Sequence, residues 1–199
     1  MGINDPLGFN PFPIPFSSSI FSLFDARLNL KNSDNHKRED CRASIARSQA
    51  VFNMKPIRIS GVAGLNDVTG VRVITGTCGT CHDSPNVGNH SVSAPLNIGV
   101  ADLTNPLDVT YLPVVTLRNH STGEIQQTTD PARALVTGKW SDIGKVKGPI
   151  LRGLSSRAPF FHNGSAGTLK DVVEFYDRRF KINLTPKEKR DLVTFLAAL

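Results

Sequence analysis

Apolar positions recur at helical spacing in a few stretches of this 199-residue chain, and those stretches predict its helices. In 43–53, Ile45, Gln49 and Phe52 share one face. The last third is the most regular. Thr168 with Asp171 three positions on predicts a capped helix over 169–178, and Thr185-Pro186-Lys187-Glu188 is a capping box with proline at the first helical position. The helix that follows, over 186–198, carries Leu192, Phe195, Leu196 and Leu199 as a core-facing stripe. A short helix over 130–137 (Ala132, Leu135 and Val136 apolar) precedes Gly138.

Between these stretches the periodicity fails. Residues 1–37 are punctuated by Pro6, Pro11, Pro13 and Pro15. Their apolar side chains, Phe9 to Phe24, follow neither a helical nor a strand period. Residues 32–42 are polar and charged and read as a linker. Pro56 and the 61–64 glycine stretch end regular structure, and 75–130, rich in Gly, Pro, Asn and Thr, reads as loops and turns. The expectation is a mainly α chain with long loops: an irregular tail and linker over 1–42, then one domain over 43–199.

Composition narrows the function classes. With 39% hydrophobic and 20% charged residues the chain is neither a disordered polymer nor a polytopic membrane protein. No run approaches the roughly 18 apolar residues of a spanning helix, and the start of the chain lacks the pattern of a secretory signal. The net charge of +6 favours acidic partners, but no Lys/Arg block marks a nucleic-acid surface. Three cysteines make no disulfide framework.

Two of those cysteines carry the chemistry. Cys78-Gly79-Thr80-Cys81-His82 is C-x-x-C-H, in which two thiols can add across the vinyl groups of a haem while the adjacent imidazole coordinates iron. Zinc would want two further ligands, and Cys41 offers no second pair. A redox pair of the thioredoxin kind would want a βαβ setting, which this loop-rich context does not offer. One covalent haem c is the expected cofactor.

The stretch TCGTCHDSPNVGNHSV (77–92) and the stretch 148–199, with RAPFFHNGS and the following T-L-x-D helix as its specific parts, resemble the C-terminal haem domain of the di-haem cytochrome c peroxidase and MauG-like family. The resemblance spans about 43–199 and implies a class I cytochrome c-like haem domain. Complete members carry two C-x-x-C-H motifs. This chain has one, in the part that resembles the electron-relaying half, so the expected function is electron transfer, with a peroxidase, a MauG-like oxidase or one piece of a di-haem enzyme as alternatives. Covalent haem attachment implies a periplasmic setting, although no signal peptide is present; the basic charge implies a redox partner protein with an acidic face, and the resemblance a second haem domain as partner.

The occupant of the sixth iron position separates electron transfer from substrate binding. In the family it is Met or Tyr on the helix after the A-P-x-F-H segment, and the matching position is Tyr176, on the same face as Leu169, Val172 and Val173. The alternative is a core tyrosine bonded to a carbonyl. Met54, before the motif, is the other soft candidate. By the same resemblance His162 lies near the haem edge, as a propionate partner or on an electron path, or is simply a turn residue. Arg152 and Arg157 are candidate carboxylate partners or surface charges. Trp140 is a rim or core residue or an electron carrier, His36, His90 and His120 read as linker and surface residues, and Cys41 has no assigned role.

Overall fold

The computed structural model of the chain describes residues 22–28, 36–82 and 94–199. In order its elements are α1 (His36–Met54), β1 (Ile57–Ser60), α2 (Asn66–Thr69), β2 (Val73–Gly76), β3 (Val115–Arg118), β4 (Ile125–Thr128), α3 (Ala134–Thr137), α4 (Leu169–Phe180) and α5 (Pro186–Ala197). Short 3-10 turns lie between them, including Cys78–Thr80.

The expectation of a mainly α chain is corrected: helices are accompanied by two small antiparallel sheets, β1–β2 and β3–β4. Ile57 and Ile59 alternate with exposed Arg58, the period-2 pattern of a half-buried strand. Ile59 faces Ile74 across the ladder. β3 and β4 carry the β-branched Val115, Thr116, Ile125 and Thr128, closed by a turn in which Gly123 (φ 76°) donates to the Asn119 carbonyl. Four-residue strands are too short for alternation to stand out, and Gly, Asn and Thr around them read equally as loop.

The helix boundaries also move. α1 begins at His36 rather than near 43, taking in part of the polar stretch read as linker; Lys, Arg and Glu are good helix formers, and polarity alone does not end a helix. The 130–137 helix shrinks to Ala134–Thr137, because Ala132 sits at φ 50°, outside helical conformation. α4 and α5 keep the expected starts, with both reciprocal capping boxes formed at Thr168/Asp171 and Thr185/Glu188.

α1 packs along α5, and two apolar clusters organise the interior. One gathers Phe52, Leu151, Leu154, Val173, Leu184, Leu192, Phe195 and Leu196. The other holds Ile57, Ile59, Val62, Leu65, Leu96 and Phe180. Cys78 and Ile182 touch both, so the C-x-x-C-H turn lies where the clusters meet. Part of the tail joins the first cluster: Phe24 stands edge-on to Phe195, and its backbone N–H donates to buried Gln49 Oε1 at 3.0 Å. Phe9, Phe12, Ile14, Phe16, Ile20, Phe21 and His90 lie outside the described residues.

Candidate functional site

The C-x-x-C-H segment forms one tight turn. The Thr77 N–H donates to Thr80 Oγ1 (2.9 Å), the Thr80 N–H returns to the Thr77 carbonyl (3.0 Å), and the His82 N–H donates to the Cys78 carbonyl (3.0 Å). Gly76, just before it, has to be small, because a Cβ there would run into the Thr80 hydroxyl. This short stretch of backbone therefore brings Cys78, Cys81 and His82 to one wall of a single cavity of about 420 Å³.

The cavity is walled mainly by apolar side chains from several elements: Phe52 of α1, Ile57 and Ile59 of β1, Leu96 and Leu151 from loops, Val173 and Phe180 of α4, and Leu192 and Leu196 of α5. Its size and apolar lining with few polar groups suit a cofactor site. Facing His82 is Tyr176, its hydroxyl 3.5 Å from His82 Nε2 and its ring 6.4 Å away at 75°. The Phe161, Phe175 and Phe180 rings hold the tyrosine from its other sides.

Burial dominates the electrostatics. It pushes the Cys78 thiol up to about 12, with Cys81 beside it adding to the rise. It raises the Tyr176 phenol as well, again reinforced by Cys81 and Cys78. His82 is pushed down to about 4 by burial, partly offset by the Pro149 backbone. At neutral pH the imidazole is therefore uncharged and keeps a lone pair, the state a metal ligand needs. His82 Nδ1 is buried without a full hydrogen bond.

These groups fit a haem on an observation of the structure itself. Two thiols and a neutral imidazole share a wall, an oxygen donor stands 3.5 Å from the imidazole nitrogen, and the cavity beside them is lined mainly by apolar side chains.

The remaining candidates separate. His162 lines the cavity at its open side and its Nδ1 is bonded to Asp130. Arg157 also lines it, but Nη2 donates to the Ile150 carbonyl (2.6 Å) and to the Arg152 carbonyl. Arg152 is exposed and not part of the lining. Met54 is 66% exposed at the end of α1, away from the cavity wall. Trp140 is half-buried in the turn after α3 and does not reach the cavity; His120 is exposed in the β3–β4 turn and Cys41 on α1. Asp130, Pro149 and Lys55 are lining residues that sequence reasoning did not single out. Asp130 lies 32 positions from its histidine partner, and no local spacing marks it.

Comparison with known proteins points the same way. The chain is 31% identical over 143 residues to the cytochrome-c peroxidase IdrP2 of Denitromonas iodatirespirans, a match covering 65% of this chain and 38% of that protein. It is 27% identical over 139 residues to IdrP1 of Pseudomonas sp. (strain SCT), covering 61% and 36%. A shorter match, 39% over 69 residues, covers 29% of this chain and 18% of IdrP1 of Denitromonas iodatirespirans. The chain thus spans little more than a third of the length of these curated relatives. No protein-family model and no solved structure matches it.

Proposed function

We propose, for a chain related to the cytochrome-c peroxidases over about 60% of its length, that it is a c-type cytochrome domain that binds one covalent haem and passes electrons. Cys78 and Cys81 would hold the porphyrin by thioethers, and His82 Nε2 and the Tyr176 oxygen would be the donors that hold its iron. When bound, the haem supplies reversible one-electron iron chemistry.

The observation that carries the reading is that the C-x-x-C-H residues and the Tyr176 oxygen line one largely apolar cavity. Each residue then has a task this chain performs by itself. The 77–82 turn presents both sulfurs and the imidazole on one side. Burial keeps His82 neutral and so a donor. Phe52, Val173, Leu192 and Leu196 exclude water from the interior, which keeps bulk solvent away from the metal. The phenylalanines around Tyr176 hold its oxygen toward His82. A haem held by both His82 and Tyr176 would leave no open site for a substrate, which would favour electron transfer over peroxide chemistry. The setting that goes with thioether attachment is the periplasm, and the basic charge suits an acidic redox partner.

A second reading is favoured by the relatives being cytochrome-c peroxidases: the chain is a haem-bearing portion of a peroxidase, working with a second haem domain in the length it does not span. One experiment addresses both. Protein matured with a haem-attachment system should carry one haem by pyridine haemochrome and keep the added mass under denaturing conditions, and Cys78→Ser/Cys81→Ser should lose that mass. The ferric protein should be low-spin and six-coordinate, with an EPR spectrum that changes in Tyr176→Phe. A spectrum unchanged by that substitution removes Tyr176 from the iron. A high-spin five-coordinate signal in the unmutated protein supports the peroxidase reading.

A further inference from the structure

At the open side of the cavity the structure builds a carboxylate–imidazole pair that the haem reading does not use. Asp130 is largely withdrawn from water, its side chain 13% exposed, whereas the His162 side chain is 60% exposed. Asp130 Oδ1 accepts the Ala132 N–H at 2.8 Å, and Oδ2 faces His162 Nδ1. The turn carrying His162 is pinned from the other side: Asn163 donates to the Val100 carbonyl (3.1 Å) and to Thr129 Oγ1 (3.0 Å), and Phe161 is held at φ 65°. Neither partner has much freedom to turn away.

The chemistry of the pair follows from its donors. An ionised carboxylate only accepts hydrogen bonds, so His162 Nδ1 carries the hydrogen. In the neutral ring the lone pair is then on Nε2, the atom left for solvent at the cavity mouth. Other charged side chains lining the cavity are already engaged: Lys55 with Glu188 at 2.8 Å, and Arg157 with the Ile150 and Arg152 carbonyls. On the segment that follows Asp130, Arg133 and Lys145 both face Asp142. Lys147 is the remaining cation of the lining.

We infer that Asp130 is a positioning residue that fixes His162 so that its Nε2 takes up a proton from solvent when the cofactor in the cavity gains an electron. The inference rests on the haem reading above. The balance is one electron in from a one-electron donor protein, iron reduced from ferric to ferrous, and one proton moved from water to Nε2, with no bond of the cofactor made or broken. Added negative charge in the cavity attracts a proton to its lining, and His162 is the lining imidazole whose Nδ1 is already held by Asp130.

The test is the midpoint potential of the haem-loaded protein against pH. Between about pH 5 and 8, where imidazoles titrate, the reduction equilibrium should fall by up to about tenfold per pH unit, the limit for one proton per electron. His162→Gln should flatten that dependence, with His162→Asn as the substitute if the glutamine variant does not fold. Asp130→Asn keeps an acceptor for the Ala132 N–H but removes the charge and places an amide donor opposite His162 Nδ1; it should weaken the pH dependence, and Asp130→Glu should restore it. A purely structural Asp130 would lower the melting temperature and leave the pH profile in place. A potential independent of pH in the unmutated protein, a slope surviving in the His162 variant, or an unmoved profile in Asp130→Asn overturns the inference while leaving the haem reading intact. Protein that carries no haem by haemochrome overturns both.

Discussion

Among the described residues Phe195 and Phe175 are the largest side chains removed entirely from water. Phe195 touches Phe52, itself packed near His82, so the residue that anchors α5 also backs the proximal side of the site. Truncating a fully buried phenylalanine costs about 3–5 kcal/mol from lost transfer energy and the cavity left behind. Phe195→Ala should therefore lower stability by about that amount in urea unfolding; a loss below roughly 1 kcal/mol would mean the α1–α5 core collapses around the gap. At this scale the sequence was most legible where chemistry is local. Cys78, Cys81 and His82 lie within five consecutive residues, so their spacing alone shows that they can act together. Asp130 and His162 are unremarkable singly, and only the fold makes them a pair.

The α1–α5 contact shows how an element gains its place. Asp191 of α5, with its side chain only 12% exposed, accepts from Ser44 (2.6 Å) and Arg47 (3.0 Å) of α1 and from Lys187 (2.8 Å). Burial pushes its carboxyl up, but the bonds from Arg47, Lys187 and Ser44 outweigh it and hold the group down at about 2. A carboxylate depressed in the folded state stabilises the fold above its unfolded value and loses that stabilisation as pH falls through the folded value. The window here runs from about pH 4 down to about pH 2. Asp191→Asn should cost at most about 2 kcal/mol at neutral pH, set by the size of the shift, and should flatten the acid limb of stability. Urea unfolding at stepped pH measures this, and an acid limb identical in the variant would count against it. The start of α5 was readable from Thr185-Pro186-Lys187-Glu188, because a cap is a local device. Its partner was not, since the contact joins residues 147 positions apart. The four-residue strands escaped for a related reason: pairing between β1 and β2 rests on neighbours across the ladder, not on a long alternating run.

For the molecule as a whole, charge and cavity give different kinds of information. The formal charge of +6 belongs to the full chain, and the acidic partner proposed from it has no docking place set by charge alone. Electron exchange with an acidic protein should slow as ionic strength rises, because screening shortens the reach of the attraction to about 8 Å at physiological salt. Stopped-flow rates across a salt series measure this, and rates indifferent to salt would remove charge steering from the account. What the sequence determined by itself is the C-x-x-C-H spacing and the starts of α4 and α5, since both depend on groups a few residues apart. What only the tertiary structure decided is the contact of Tyr176 with His82, 94 positions apart, the apolar walls from α1, β1, α4 and α5, and the pairing of Asp130 with His162. Proximity over such separations is set by which apolar faces bury one another, and that depends on the whole chain at once.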